Sequence, residues 1–358
     1  MGRSSVIALL ALGCGAGLSR PSTSIPQFEE RLEQLRTESR IAAVTAVIAR
    51  NQEVVWTRHF GLADLAGGRA PSDSTIYHLA SLTKPFASIV LMALVEEGRI
   101  SLDDPVSNYG VTLPGPGVIL VRHLLSHTSE GDPGTSFRYS GDRFALLDAV
   151  IARGAGMPFA EALQTRIIAR LGLRHTAPNP QSGAFAVSGH ERAAFESGMA
   201  KGYTPSGGGH TPTAYPSHFS SAAGLTASAL DVAAFSMALD RNALLRAETM
   251  ALAFTPAVNP AGDTLPYGLG WFSTRYRGVR VVWQYGLWTA NSSLILKVPD
   301  RQLTFILLAN TDGLSSPYPL GAGTLESSPW AREFLDAFVL GSVPLPGSGA
   351  GSEATTPR

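Results

Sequence analysis

The sequence predicts an α+β fold: a central antiparallel sheet flanked by N- and C-terminal helices, with an inserted, mainly helical subdomain. Three observations predict it. Strand-like runs occur towards both ends of the chain, helical periodicity fills the middle, and a helical run closes each end of the folded part. With 44% of its 358 residues hydrophobic, the chain can bury a large core as one large or two intimately joined domains.

Each element follows from its own pattern. FEERLEQLRTESR places Phe28, Leu32 and Leu35 on one helical face. IAAVTAVIAR and EVVWTRHFG then read as two strands, with Asn51 and Gln52 supplying the hairpin turn. Helical spacing covers residues 79–100 and 143–171, and Gly98 and Gly172 mark the stops. Residues 178–221 are crowded with Gly, Pro, Ser and Thr and hold no sustained period, so a long surface excursion or lid beside a site is expected. GLGWFSTRYRG, VRVVWQYG, SSLILKVP and QLTFILLAN are strand-like, with Arg301 and Gln302 closing the last hairpin. SPWAREFLDAFVL returns to helical spacing. A cleft between the sheet and the helical part is the expected site.

The pattern bounds this domain at residues 25–341. Before it, residues 1–24 read as an export signal: Arg3 precedes an apolar run over residues 6–12, too short to span a bilayer, and small residues follow. ALGC resembles a bacterial lipoprotein box, with Ala11 where leucine is usual. Two readings of Cys14 stand: a lipid attached there would tether the chain to a membrane, or the residue is incidental in a plain secretory signal. As the chain's one cysteine, it leaves no disulfide or cysteine metal site in the folded part. Residues 342–358, rich in Pro, Gly and Ser, read as a disordered tail. Lys plus Arg and Asp plus Glu number 28 each, and no basic tract carries interleaved aromatics, so nucleic acid is not an expected partner.

The stretch LASLTKPFAS concentrates the chemistry. A helix tolerates proline only in its first turn, so Pro85 fixes the helix start close to Ser81, and Lys84 returns to the same face three residues on. A serine hydroxyl is a weak nucleophile until a base takes its proton. A lysine enclosed by apolar neighbours has a depressed pKa and can be that base. The Ser81 backbone N–H, at the helix start, is free to help hold an oxyanion. Taken alone, a bare S-x-x-K is common by chance, and a serine cap beside a solvated lysine is the better reading of the tetrapeptide.

With YHLASLTKPF, GRISLDDPVSNY, VRHLLSHTSEG, AGLTASALDVAAF, YGLGW and LLANTDG, the chain over residues 28–340 resembles the serine β-lactamase and penicillin-binding protein superfamily. The likeness is to the branch of class C β-lactamases, D-Ala-D-Ala carboxypeptidases and related esterases. It implies a β-lactamase-like fold with the active site between sheet and helical subdomain. It implies Ser81 as the acylated serine, Lys84 as its paired lysine, and Tyr139 of FRYSGD as the group passing a proton to the leaving group. Gly141 stands where the family's second motif has asparagine; Asp142 is displaced by one residue and does not inherit that role. The third motif, Lys or His, a small residue, then Gly, falls on Gln284, Tyr285 and Gly286. Gly286 keeps the close backbone approach, and the Leu287 N–H is implied as the second oxyanion donor.

Gln284 cannot offer a charge to a substrate carboxylate, so weak turnover of penicillins and peptides is expected. The expectation is an exported serine hydrolase that forms an acyl-enzyme on Ser81. Its substrate is a small-molecule or peptide ester or amide, and no cofactor is required. Gly141 and Gln284 motivate an alternative, a catalytically silent module binding cell-wall or peptide ligands in the same cleft. His123 and His127 have a zinc-compatible i, i+4 spacing but no acidic partner, and are read as structural. Trp271, Trp283 and Trp288 either line an apolar pocket or pack on the sheet. Asp103 and Asp231 read as turn or cap residues.

Overall fold

The computed structural model describes residues 22–346. Its strands are β1 Ala43–Arg50, β2 Glu53–Gly61, β3 Ile76–His78, β4 Thr176–Pro178, β5 Tyr203–Ser206, β6 Gly209–Pro212, β7 Leu225–Ser228, β8 Phe272–Tyr276, β9 Val279–Trp288, β10 Asn291–Val298 and β11 Leu303–Ala309. Six of them form one antiparallel sheet in the order β2-β1-β11-β10-β9-β8. The N-terminal hairpin thus pairs onto the last strand, and both chain ends build the sheet. Residues Asn51 and Gln52 take the left-handed conformation in the β1–β2 turn, with φ of 50° and 67°.

Period-two alternation decides which core each strand feeds. Val44, Ala46 and Ile48 of β1, Phe305 and Leu307 of β11 and Trp283 and Tyr285 of β9 face the terminal helices. Among these helices is α1, Ile25–Glu38, which buries Phe28, Leu32 and Leu35. The helix Pro329–Phe334, starting inside the expected SPWAREFLDAFVL run, adds Trp330 and Phe334. The opposite face, with Val47, Val282, Ile295 and Ile306, packs on the helical subdomain. At the centre of that subdomain lies α2, Thr83–Glu96, in which residues 83–92 are all buried. A helix apolar on every side belongs inside a core, and this one carries a lysine inwards with it.

Several expectations are revised. The helical stretch 143–171 is broken: helices Gly141–Ala145 and Leu147–Ala155 meet at Leu146, which keeps right-handed helical dihedrals, and a left-handed Gly156 (φ 72°) with Pro158 separates the second from Phe159–Leu163. Residues 178–221 are folded, with a helix Arg192–Gly198, the β5–β6 hairpin and a small apolar cluster around Phe185 and Phe195. A three-stranded sheet β3-β7-β4, unforeseen because its strands have only three or four residues, ties this excursion to the segment before Ser81. Val343 and Leu345, assigned to a disordered tail, are buried in the core beside the terminal helices. The export signal through residue 21, Cys14 included, and the tail from residue 347 lie outside the described residues.

Candidate active site

Ser81 occupies a 3₁₀ turn, Ala80–Leu82, that leads directly into α2. Pro85 lies in the first turn of α2, where a missing N–H costs nothing. Ala80 is held at φ 49°, a conformation L-residues rarely adopt and one that concentrates at functional sites. Four hydrogen bonds impose it. The Ala80 N–H donates to His78 Nδ1 (3.1 Å), Thr83 Oγ1 donates to the Ala80 carbonyl (2.7 Å), Ser293 Oγ donates to the Leu79 carbonyl (2.8 Å), and the Leu79 N–H donates to the Leu225 carbonyl (2.8 Å). His78 is fully buried, and burial lowers its pKa to about 4, so the ring stays neutral and able to accept.

Lys84 projects one helical turn along. Its Nζ donates to Ser81 Oγ at 2.9 Å and to the Ala222 carbonyl at 3.0 Å, with the Tyr139 and Phe144 ring centres 5.0 and 5.4 Å away. The side chain is fully buried, and desolvation lowers its pKa to about 7. Lys297 provides an internal comparison. It is equally enclosed, yet Asp240 lies 2.9 Å from its Nζ and opposes the downward shift. Among the described residues Lys84 has no carboxylate partner, so no opposite charge offsets the cost of burying its ammonium form.

The Ala222 carbonyl is aimed by its neighbour. Ser221 donates its N–H to Asp148 (2.7 Å) and its hydroxyl to the Phe144 carbonyl (3.1 Å). A backbone acceptor has no signature in sequence, and 138 residues separate it from Lys84.

Tyr139 comes from the segment that precedes the helix Gly141–Ala145. Its hydroxyl accepts from Gln284 Nε2 at 2.9 Å and also contacts Ser81. Burial and the nearby Tyr285 hydroxyl raise its pKa well above the usual phenol value, against the opposing pull of Ser81 and Gln284, so it is a phenol at neutral pH. Gln284 is fully buried and fully bonded: Nε2 also donates to the Ser81 carbonyl (3.2 Å), and Oε1 accepts from Tyr267 (3.2 Å). A lysine there could donate but could not accept from Tyr267.

Two histidines singled out by spacing go separate ways, because the helix Val121–Leu125 ends before reaching the second. His123 Nδ1 accepts the Leu120 N–H at 3.1 Å. His127, at φ 55°, brackets the tyrosine: its carbonyl accepts the Arg138 N–H (2.8 Å), its Nδ1 accepts the Ser140 N–H (3.2 Å), and its ring lies 4.4 Å from that of Tyr139. Burial first, and then Lys84, push its pKa well down, which keeps Nδ1 an acceptor. This clamp was not visible in the sequence. Trp271 and Trp283 are core residues, whereas Trp288 reaches the cleft. Asp231 accepts from the His175 N–H and from Thr176 Oγ1, and Asp103 pairs with Arg122 at 2.7 Å.

The cleft over Ser81 and Lys84 has a volume of about 300 Å³, with Leu287 and Trp288 on one wall and Gly141 and Asp142 on another. β9 forms the first wall because β8 pairs with it only along residues 279–283, leaving one edge of residues 284–288 open. Gly286 packs there against the Leu79 carbonyl and Ser293 Oγ so closely that a Cβ would overlap both. Larger cavities of about 540 and 410 Å³ lie elsewhere and lack this pairing of nucleophile and base.

A family model described as Beta-lactamase matches residues 28–323. Penicillin-binding protein 4* of Bacillus subtilis is 24% identical over 316 residues, covering 75% of this chain and 68% of that protein. Esterase EstB of Burkholderia gladioli is 28% identical over 193 residues, 40% of this chain and 48% of the esterase. D-aminopeptidase of Brucella canis is 23% identical over 336 residues, 83% of this chain and 61% of that enzyme. The chain therefore spans about half of the esterase and three-fifths of the aminopeptidase. In fold, the octameric penicillin-binding protein homologue from Pyrococcus abyssi superposes with a TM-score of 0.74 at 21% identity, over 90% of this chain and 79% of that one. A family match over most of the chain, on the same architecture, means that this protein belongs to the β-lactamase family.

Proposed function

We propose that the protein is an exported serine hydrolase that cleaves an ester or amide through an acyl-enzyme on Ser81. The observation that carries this is Lys84 Nζ at 2.9 Å from Ser81 Oγ, fully buried and without a carboxylate partner among the described residues. In its neutral form the amine takes the Ser81 proton as Oγ attacks the substrate carbonyl. The N–H groups of Ser81 and Leu287 hold the resulting oxyanion. The intermediate collapses and expels the alcohol or amine, which leaves with the proton Lys84 had taken, relayed by Tyr139. Water then attacks the acyl-enzyme, releasing the acid and restoring the Ser81 hydroxyl. Export rests on the basic, apolar and small-residue order of residues 1–17, with lipid on Cys14 as one form of it.

A fluorophosphonate probe tests the nucleophile directly. Intact mass should rise by one adduct that maps to Ser81 and is lost in Ser81→Ala. An unlabelled protein that binds penicillins reversibly would instead be the silent module.

Gln284 sharpens the substrate class. It is neutral and its amide is fully engaged, so no cation is offered to a carboxylate beside the scissile bond. A hydrogen bond to a charged group contributes about 1.5–3 kcal/mol. Simple aryl esters are therefore expected to exceed a chromogenic cephalosporin in kcat/KM by roughly 10- to 100-fold. A cephalosporin hydrolysed faster than p-nitrophenyl butanoate would refute this.

A further inference from the structure

Asp142 is a carboxylate without an internal purpose. It lies in the first turn of the helix Gly141–Ala145, which Ser140 caps by accepting the Arg143 N–H at 3.2 Å. Its side chain is exposed, lines the cleft that holds Ser81 and Lys84, and has neither a hydrogen bond nor an ion pair among the described residues. An acidic residue in a first turn gains from the helix dipole wherever its side chain lies, which does not account for its place on the cleft wall. The adjacent Arg143 does not line the cleft, and Arg138 is paired with Glu130 at 3.1 Å. Among the described residues Lys84 and His218 are the basic side chains on the cleft wall; Lys84 is turned to Ser81 and the Ala222 carbonyl, and neither pairs with Asp142.

Beside this charge there is room. Gly141 has no side chain, and a Cβ placed on it would meet nothing within 4 Å. An open space next to an unpaired carboxylate, at the mouth of a site whose Gln284 is neutral, suits a small cation carried by the substrate.

We infer that Asp142 determines specificity by binding an ammonium group on the acyl part of the substrate, so that the cleft prefers aminoacyl esters or amides to neutral ones. The inference rests on Ser81 being the nucleophile. The carboxylate takes no part in bond making; it raises the occupancy of acyl donors whose charged end lies beside Gly141.

Two esters of matched shape read this out: the p-nitrophenyl ester of 3-aminopropanoate, cationic at pH 7.5, and p-nitrophenyl butanoate. The wild-type ratio of kcat/KM, cationic over neutral, is expected to be about fivefold, the upper end for an exposed ion pair. It should fall to about one in Asp142→Asn, stay above about two in Asp142→Glu, and shrink on moving from 50 to 500 mM salt, as a screened interaction of this size must. A ratio unchanged by Asp142→Asn, or a wild-type preference for butanoate, overturns the proposal. Failure of the underlying nucleophile looks different: neither ester is turned over and the fluorophosphonate adduct is missing from Ser81, which overturns both.

Discussion

Lys84→Met is expected to lower kcat/KM by about 10³-fold, because the substitution keeps the buried volume and removes the base. In the wild-type protein the amine must be unprotonated to accept the Ser81 proton. With its pKa brought down to about 7 by burial, the acylation rate should rise with pH through that value and level off above it. A rate independent of pH between 6 and 8, or a Met variant within tenfold of wild type, would remove Lys84 from the chemistry.

The same shift makes a claim about stability. The folded state binds this proton less tightly than the unfolded chain, in which lysine titrates at about 10.4. Below pH 7 both states are protonated and the native protein carries the full cost of a buried ammonium. Between 7 and about 10 only the unfolded chain holds the proton, so stability rises with pH across that window. Denaturant midpoints of wild type and Lys84→Met, compared from pH 6 to 9.5, should show the wild type gaining on the variant as pH rises. Using the difference cancels the raised tyrosines, such as Tyr139 and Tyr267, common to both proteins.

How much of this was legible beforehand depends on whether the determinant is a side-chain type or a backbone position. Phe28, Leu32 and Leu35, the alternation in β1, β9 and β11, and the Ser81–Lys84 spacing are written in residue type and period, and the structure places them as that pattern requires. The Ala222 carbonyl, the left-handed Ala80 and the His127 carbonyl act through the main chain, so composition offers no trace of them. His127 shows a different failure. Its spacing from His123 suggests one helical face, but the helix stops at Leu125 and the ring turns towards Tyr139. Residues 178–221 show no sustained period because their order comes from short elements and tertiary pairing, such as the Tyr203 N–H donating to the Asn310 carbonyl at 2.9 Å. Gln284 departs from the family motif in residue type alone, which the sequence displays. That its amide joins Ser81, Tyr139 and Tyr267 required the three-dimensional arrangement.

Gly286→Ala is expected to cost about as much activity as losing the base, although position 286 bears no reactive group. The new methyl would overlap the Leu79 carbonyl oxygen and Ser293 Oγ and lie 3.2 Å from the Ala80 Cβ. β9 cannot retreat, since its register with β10 pairs Gly286 with Ser293 and Leu287 with Ser292 on the other edge. The turn Ala80–Leu82 must therefore move, and Ala80, already at φ 49°, has few conformations to move into. A shift of about 1 Å costs on the order of 10²-fold in positioning, and an oxyanion donor misaligned but not lost costs about tenfold more, short of the 10²- to 10³-fold of its full loss. A combined loss of about 10³-fold in kcat/KM follows, with a stability loss of about 1–3 kcal/mol from overpacking. Ser293→Ala separates crowding from hydrogen bonding. Alone it removes only the bond to the Leu79 carbonyl, for roughly a tenfold effect. Added to Gly286→Ala it should rescue little, because the carbonyl oxygen remains in the way of the methyl. Fluorophosphonate labelling rates on the folded variants measure this without a natural substrate, and a Gly286→Ala protein labelled within tenfold of wild type would show that the approach of β9 to Ser81 does not set the geometry of attack.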